Sequence, residues 1–166
     1  DYIDGVTSHL CLKFENGDIK QCKTQKLRLI EPEAEELVYP NVSFSSIINL
    51  PSSDFQKIIR DLHQLSDKLE IKSLNNELIF KCEGSFASAE VRRTESEGMM
   101  EFQSKPSASK IIQGEFSLKN LSYFIKCTNL CNQIEVYLEN NRPLVVKYNV
   151  ASLGHIKLCL APLPSH

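Results

Sequence analysis

The chain has 166 residues and a mass of 18.9 kDa, is 42% hydrophobic and 24% charged, and carries a formal net charge of −2 with a pI near 6.1. That is the composition of a folded domain with its own core. It excludes a protein that is basic throughout, as tight nucleic-acid binders usually are, and leaves room for a local basic face.

No apolar run is long enough to cross a membrane, and no secretory leader is legible. Because the chain opens on Asp1, a processed, trimmed or fragmentary product is expected. Residues 9–30 predict a hairpin. Leu10, Leu12 and Phe14 alternate as in a half-buried strand, and Asn16-Gly17 is a two-residue turn signal. The return strand over 19–28 has almost no apolar face before Leu27, which suits a sheet edge. Residues 31–41 read as a linker, acidic and punctuated by Pro32 and Pro40. Within it, Leu37-Val38-Tyr39 is an apolar cluster, either an anchor onto the domain surface or one wall of a binding groove.

Residues 50–65 predict an amphipathic helix. Pro51, Ser52 and Ser53 mark its start, with a serine side chain available as a cap. Phe55, Ile58, Ile59, Leu62 and Leu65 form one apolar stripe. Lys57, Arg60 and Gln64 lie opposite, with Asp61 partly offsetting their charge. A strand at 44–50 precedes the helix. Strands at 69–72 and 78–81, joined by a turn at Asn75-Asn76, follow it. Residues 84–93 are rich in small side chains and predict a second edge strand. Residues 94–109 are polar and predict loop, except near Met99 and Phe102.

The pattern then repeats. A shift of 66 residues carries Phe55 onto Leu121, Ile58 onto Phe124, Ile59 onto Ile125 and Arg60 onto Lys126. The second helix, over 117–128, has a stripe of Leu118, Leu121, Phe124 and Ile125 and an outer face of Lys119, Tyr123 and Lys126. Around it stand strands at 111–116, 134–138 and 144–148, a turn at Asn140-Asn141, and a last strand from Gly154 stopped by Pro162 and Pro164. One supersecondary module is used twice. The expected fold is α+β, with antiparallel strands in one layer, two helices on the other, and cations at matching places on both helices.

The six cysteines (11, 22, 82, 127, 131 and 159) form no C-x-x-C pair, and the histidines at 9, 63, 155 and 166 are scattered. Reduced thiols acting as small hydrophobes are expected, with no metal site and no cofactor. No Ser/His/Asp or Cys/His arrangement and no glycine-rich phosphate loop is readable. The competing reading from another class is a small α+β hydrolase that uses His155 or Cys127.

Four segments carry a resemblance. They are Leu27-Arg28-Leu29-Ile30 with the acidic linker ending Leu37-Val38-Tyr39-Pro40, and Leu50-Pro51-Ser52-Ser53-Asp54-Phe55 with Ile59-Arg60-Asp61-Leu62. The others are Pro143-Leu144-Val145-Val146-Lys147-Tyr148, and Gly154-His155-Ile156-Lys157 with Leu160-Ala161-Pro162. In this order and spacing the chain resembles the proliferating cell nuclear antigen family of sliding clamps. The likeness covers the terminal hairpin of the first clamp domain (1–30), the interdomain linker (31–41) and the second domain (42–166).

The resemblance implies the DNA-clamp fold and a non-enzymatic processivity factor of DNA replication and repair. It implies a nuclear ring of three two-domain subunits around double-stranded DNA, a homotrimer when full length. DNA polymerase, other proteins with clamp-binding peptides and a clamp loader are the implied partners. By position, Lys57, Arg60, Lys119 and Lys126 face DNA. The edge over 86–94, with Ala87, Ala89, Val91 and Arg93, pairs with a neighbour's return strand over 18–28, with Ile19, Gln21 and Lys23. Since most of the first domain is absent, this stretch alone is not expected to close a trimer. The partner-peptide groove combines Leu37, Val38, Tyr39 and Pro40 with Pro143, Cys159, Ala161 and Pro162. A clamp-like checkpoint subunit, with the same fold and different partners, is the nearest alternative. Some positions depart from the family. Cys159 stands where an aromatic is usual, Tyr39 where an aliphatic is usual, and Asn75 where the eukaryotic family has its modified lysine. No acidic tail follows Ser165-His166.

Overall fold

The computed structural model describes residues 9–29, 42–107 and 110–164. The chain divides into two compact units, 1–41 and 42–166. In the first, β1 (His9–Asn16) pairs antiparallel with β2 (Gln21–Arg28), and Asn16 stands opposite Gln21. The connection is therefore four residues, 17–20, and not the two-residue turn that Asn16-Gly17 suggests. Asn16 stays in the strand, and its Oδ1 accepts from the Asp18 N–H at 3.1 Å, an Asx turn. Lys20 closes the loop at φ 50°, in the left-handed region. Ile19 consequently lies in the loop and not on the return strand. A two-stranded ribbon has no second layer of its own, and Leu10 and Phe14 stay 38% and 52% exposed.

The second unit begins with β3 (Ser46–Pro51), α1 (Ser52–His63), β4 (Lys68–Leu74), β5 (Glu77–Glu83), β6 (Ser88–Thr94) and β7 (Glu101–Ser104). It continues with β8 (Ile112–Ser117), α2 (Leu118–Phe124) and a 3₁₀ segment (Ile125–Leu130). Then come β9 (Gln133–Leu138), β10 (Leu144–Val150), a 3₁₀ turn (Ala151–Leu153) and β11 (Gly154–Leu160). Asn75 and Asn141 take positive φ of 54° and 57° at the two predicted turns. Within the polar stretch after β6, β7 adds to the free edge of β3 and buries Met100 nearby.

The strands form two sheets rather than one layer, ordered β11-β10-β9-β3-β7 and β6-β5-β4-β8. Each module gives its first strand to the other. β3 pairs with β9, Leu50 opposite Ile134, and β8 pairs with β4, Phe116 opposite Leu69. The helices cross over in the same way. The Ser52 N–H donates to the Asn132 carbonyl and the Leu118 N–H to the Asp67 carbonyl, both at 2.9 Å. A helix's first N–H groups lack intrahelical partners, and here one from each helix is satisfied by the opposite module.

The two helices run antiparallel. Gln56 Nε2 reaches the Ile125 carbonyl at 3.3 Å, and Ser52 Oγ donates to the Cys131 carbonyl at 2.6 Å. Ser52 therefore ties the modules together and does not cap α1, whose N-cap is Pro51 without a side-chain bond. Ser117 does cap α2, accepting from the Asn120 N–H at 3.3 Å. Phe55, Ile59, Leu62, Leu118 and Leu121 bury into one continuous core with Ile48, Leu69, Ile71, Ile134, Val136 and Val146. Ser46 and Ser73, both fully buried, carry paired hydroxyls into that core and bond to each other at 2.7 Å.

Candidate functional site

Burying one stripe of each helix leaves the opposite faces to solvent. Lys57 and Arg60 of α1, Lys119 of α2 and Lys126 of the 3₁₀ segment are all exposed. Among the described residues, no ion pair engages any of the four. The antiparallel pair thus presents a polar face with uncompensated cations on both helices. Their placement is less symmetric than the repeat suggests. Arg60 and Lys126 correspond, but the same shift carries Lys57 onto Tyr123 and Ser53 onto Lys119. Lys126 Nζ sits 4.8 Å from the centre of the Tyr123 ring.

β6 is one of the two outer strands of its sheet. Ala89 and Val91 turn inward and pack on the core, leaving Ser88, Glu90 and Arg92 on the other side. Arg93 Nη2 holds Asp54 Oδ2 at 3.1 Å, which fastens this edge to the first turn of α1. Ala87 precedes the strand, and its carbonyl accepts from the Gly84 N–H at 2.9 Å. The strand is shorter than expected because this turn is tight. A Cβ on Gly84 would lie 1.9 Å from the Leu65 carbonyl oxygen, so only glycine fits. Gln21 and Lys23 are exposed on β2.

The predicted groove residues fall in three places. Leu37, Val38, Tyr39 and Pro40 lie outside the described residues. Cys159 stands opposite Val145, which in turn stands opposite Tyr137. Directly opposed residues share a face, so Tyr137, Val145 and Cys159 line the side of the five-stranded sheet away from the core. Leu158 and Leu160 take the core side. Pro143 and Ala161 are exposed and flank these strands, immediately before β10 and immediately after β11. Pro162 is half-buried and lines an open concavity of about 670 Å³ with Ile111, Gln113, Gly114, Asn140 and Asn141. The Leu163 N–H, donating to the Glu115 carbonyl at 2.7 Å, holds that segment against β8.

Sequence reasoning missed Phe44, Tyr137 and Val145. The Phe44 ring meets Tyr137 edge-on at 5.5 Å between centroids. The Tyr137 hydroxyl bonds the Glu135 carboxylate, which also accepts from Lys147 Nζ at 2.8 Å and Asn149 Nδ2 at 3.0 Å. Burial alone would raise the Glu135 carboxyl, but these three donors outweigh it and hold it below the usual carboxylate range. Burial, and then the bond to Glu135, pushes the Tyr137 hydroxyl up. The unbroken run Leu144-Val145-Val146, all buried, was the legible signal that both faces of β10 are covered. Among the described residues no cluster of His, Cys, Asp or Glu has a metal-holding arrangement.

A family model described as "Proliferating cell nuclear antigen, C-terminal domain" matches residues 38–163. A protein of Acanthamoeba polyphaga mimivirus, "Probable DNA polymerase sliding clamp", is 36% identical over 149 residues. The match covers 90% of this chain and 31% of that relative, so the chain spans less than a third of the relative's length.

Proposed function

From the premise that this chain belongs to the proliferating cell nuclear antigen family of sliding clamps, we propose that it works as part of a ring that encircles duplex DNA and keeps a polymerase on its template. Four exposed cations, none of them in an ion pair among the described residues, on a helix pair with an otherwise polar face, carry this reading. A sliding protein needs charge directed at phosphates and no side chains committed to base edges. A few lysines and arginines on an acidic chain supply that, whereas a strongly basic surface would hold DNA in place. In this reading the edge of β6, with Ala89, Val91 and Arg93, continues onto β2 of a neighbouring subunit through Gln21 and Lys23. The outer face around Pro143, Cys159 and Ala161, completed by Leu37, Val38, Tyr39 and Pro40, receives short apolar peptide segments of polymerase and other partners. The ring needs a loader to open it, and the domain itself performs no chemistry.

The test replaces Lys57, Arg60, Lys119 and Lys126 by Glu in the ring-forming full-length protein. Retention on circular DNA should be lost while the melting curve stays unchanged. Retention equal to that of the unaltered ring would refute the inner-face assignment.

A further inference from the structure

Tyr123 lies on the cationic helix face, 54% exposed. Among the described residues its hydroxyl has no hydrogen-bond partner. The shift that superimposes Arg60 on Lys126 carries Lys57 onto Tyr123. One helix therefore places a lysine where the other places a phenol. Lys119, four residues before, and Lys126, three after, share the stripe with it. The Lys126 ammonium is 4.8 Å from the ring centroid, well inside cation–π range. That contact restricts a long, otherwise free side chain, and holds its charge next to a hydroxyl that can donate.

Resting on the DNA reading above, we propose that Tyr123 is a DNA-backbone contact. Its hydroxyl donates to a phosphate oxygen of the duplex, and its ring holds the Lys126 ammonium toward the neighbouring phosphate. The phenol replaces a cation with a neutral donor at the position equivalent to Lys57. It adds a directed hydrogen bond without adding to the salt-dependent attraction that resists sliding. Phosphate oxygens recur at every nucleotide, so the contact selects no sequence.

The experiment titrates mixed-sequence duplex DNA into this chain and follows nuclear magnetic resonance shifts at several salt concentrations. The variants are Tyr123→Phe, Tyr123→Ala, Tyr123→Lys and the fourfold Glu replacement described above. Tyr123→Phe should bind about five-fold more weakly, the equivalent of one exposed hydrogen bond, with an unchanged salt slope. Tyr123→Ala, which also releases Lys126, should bind more weakly still. Tyr123→Lys should recover affinity and steepen the slope of log affinity against log salt by about 0.9. Wild-type affinity in both Tyr123→Phe and Tyr123→Ala, with binding abolished by the fourfold replacement, overturns the proposal and leaves the DNA reading standing. Wild-type affinity in the fourfold variant overturns the DNA reading, and the proposal with it.

Discussion

Ser46 and Ser73 set two hydroxyls inside an apolar core, each the other's partner at 2.7 Å. They come from β3 and β4, which belong to different sheets, so the bond spans the seam between them. Removing one hydroxyl leaves the other buried and unsatisfied, at a cost of about 1–3 kcal/mol, whereas removing both leaves only a small void. Ser46→Ala or Ser73→Ala should each lower stability, and the double variant should lose clearly less than the sum. Urea unfolding of the four proteins measures this, and strictly additive losses would contradict it. Neither serine was legible as a core residue, because the sequence shows that a serine faces inward only once strand register is known. The same holds for Tyr137. Its place beside Val145 and Cys159 is set across three strands, while the sequence pattern runs along one. The cations were easier to find. Charge on the side opposite an apolar stripe is a local pattern, and Lys57, Arg60, Lys119 and Lys126 all prove exposed.

α1 keeps four residues of its predicted stripe, because Phe55, Ile58, Ile59 and Leu62 recur at helical spacing and are all buried, whereas Leu65 lies beyond the helix end at His63 and is only half-buried. α2 is shorter than predicted. From Ile125 the backbone tightens into 3₁₀ winding, with Thr128 Oγ1 donating to the Ile125 carbonyl at 2.6 Å. Periodicity cannot separate the two windings over a turn or so. The misplaced Ile19 and Ala87 have a common cause, since each lies in a turn whose side-chain or steric demand shortens a strand by a residue or two. Where an apolar side chain sits decides what its loss does. Phe55→Ala leaves a cavity under α1 and should cost about 3–5 kcal/mol. Leu37→Ala or Tyr39→Ala should leave stability nearly unchanged. Each should instead weaken a clamp-binding peptide, by roughly 2 kcal/mol if that side chain is a central anchor. Calorimetric titration paired with thermal melts distinguishes the two effects. Equal peptide affinity in wild type and both linker variants would show that Leu37 and Tyr39 do not belong to the groove.

The repeat was visible in the sequence, but the exchange of first strands was not, since pairing between distant segments leaves no local trace. The exchange makes the modules interdependent. β3 has one of its two ladder partners, β9, in the other module, β8 has its partner in β4, and one N–H of each helix is satisfied by the other module. Expressed apart, residues 42–107 and 110–164 should each lack a cooperative melt. Mixed, they should form a one-to-one complex that melts as one unit. Circular dichroism and size-exclusion chromatography test this, and a cooperative transition in either half alone would disprove it.

Strand exchange also imposes a timetable on synthesis. When a ribosome has released the first module, β3 still lacks β9, and Leu50 has no Ile134 to lie beside. At ordinary translation rates the missing partner arrives roughly two to six seconds later. Throughout that interval an open strand edge and the apolar face of α1 are offered to whatever is nearby, a chaperone or another nascent chain. Slowing translation between the codons for β7 and β9 should therefore lower the soluble yield, although the finished protein would be chemically the same.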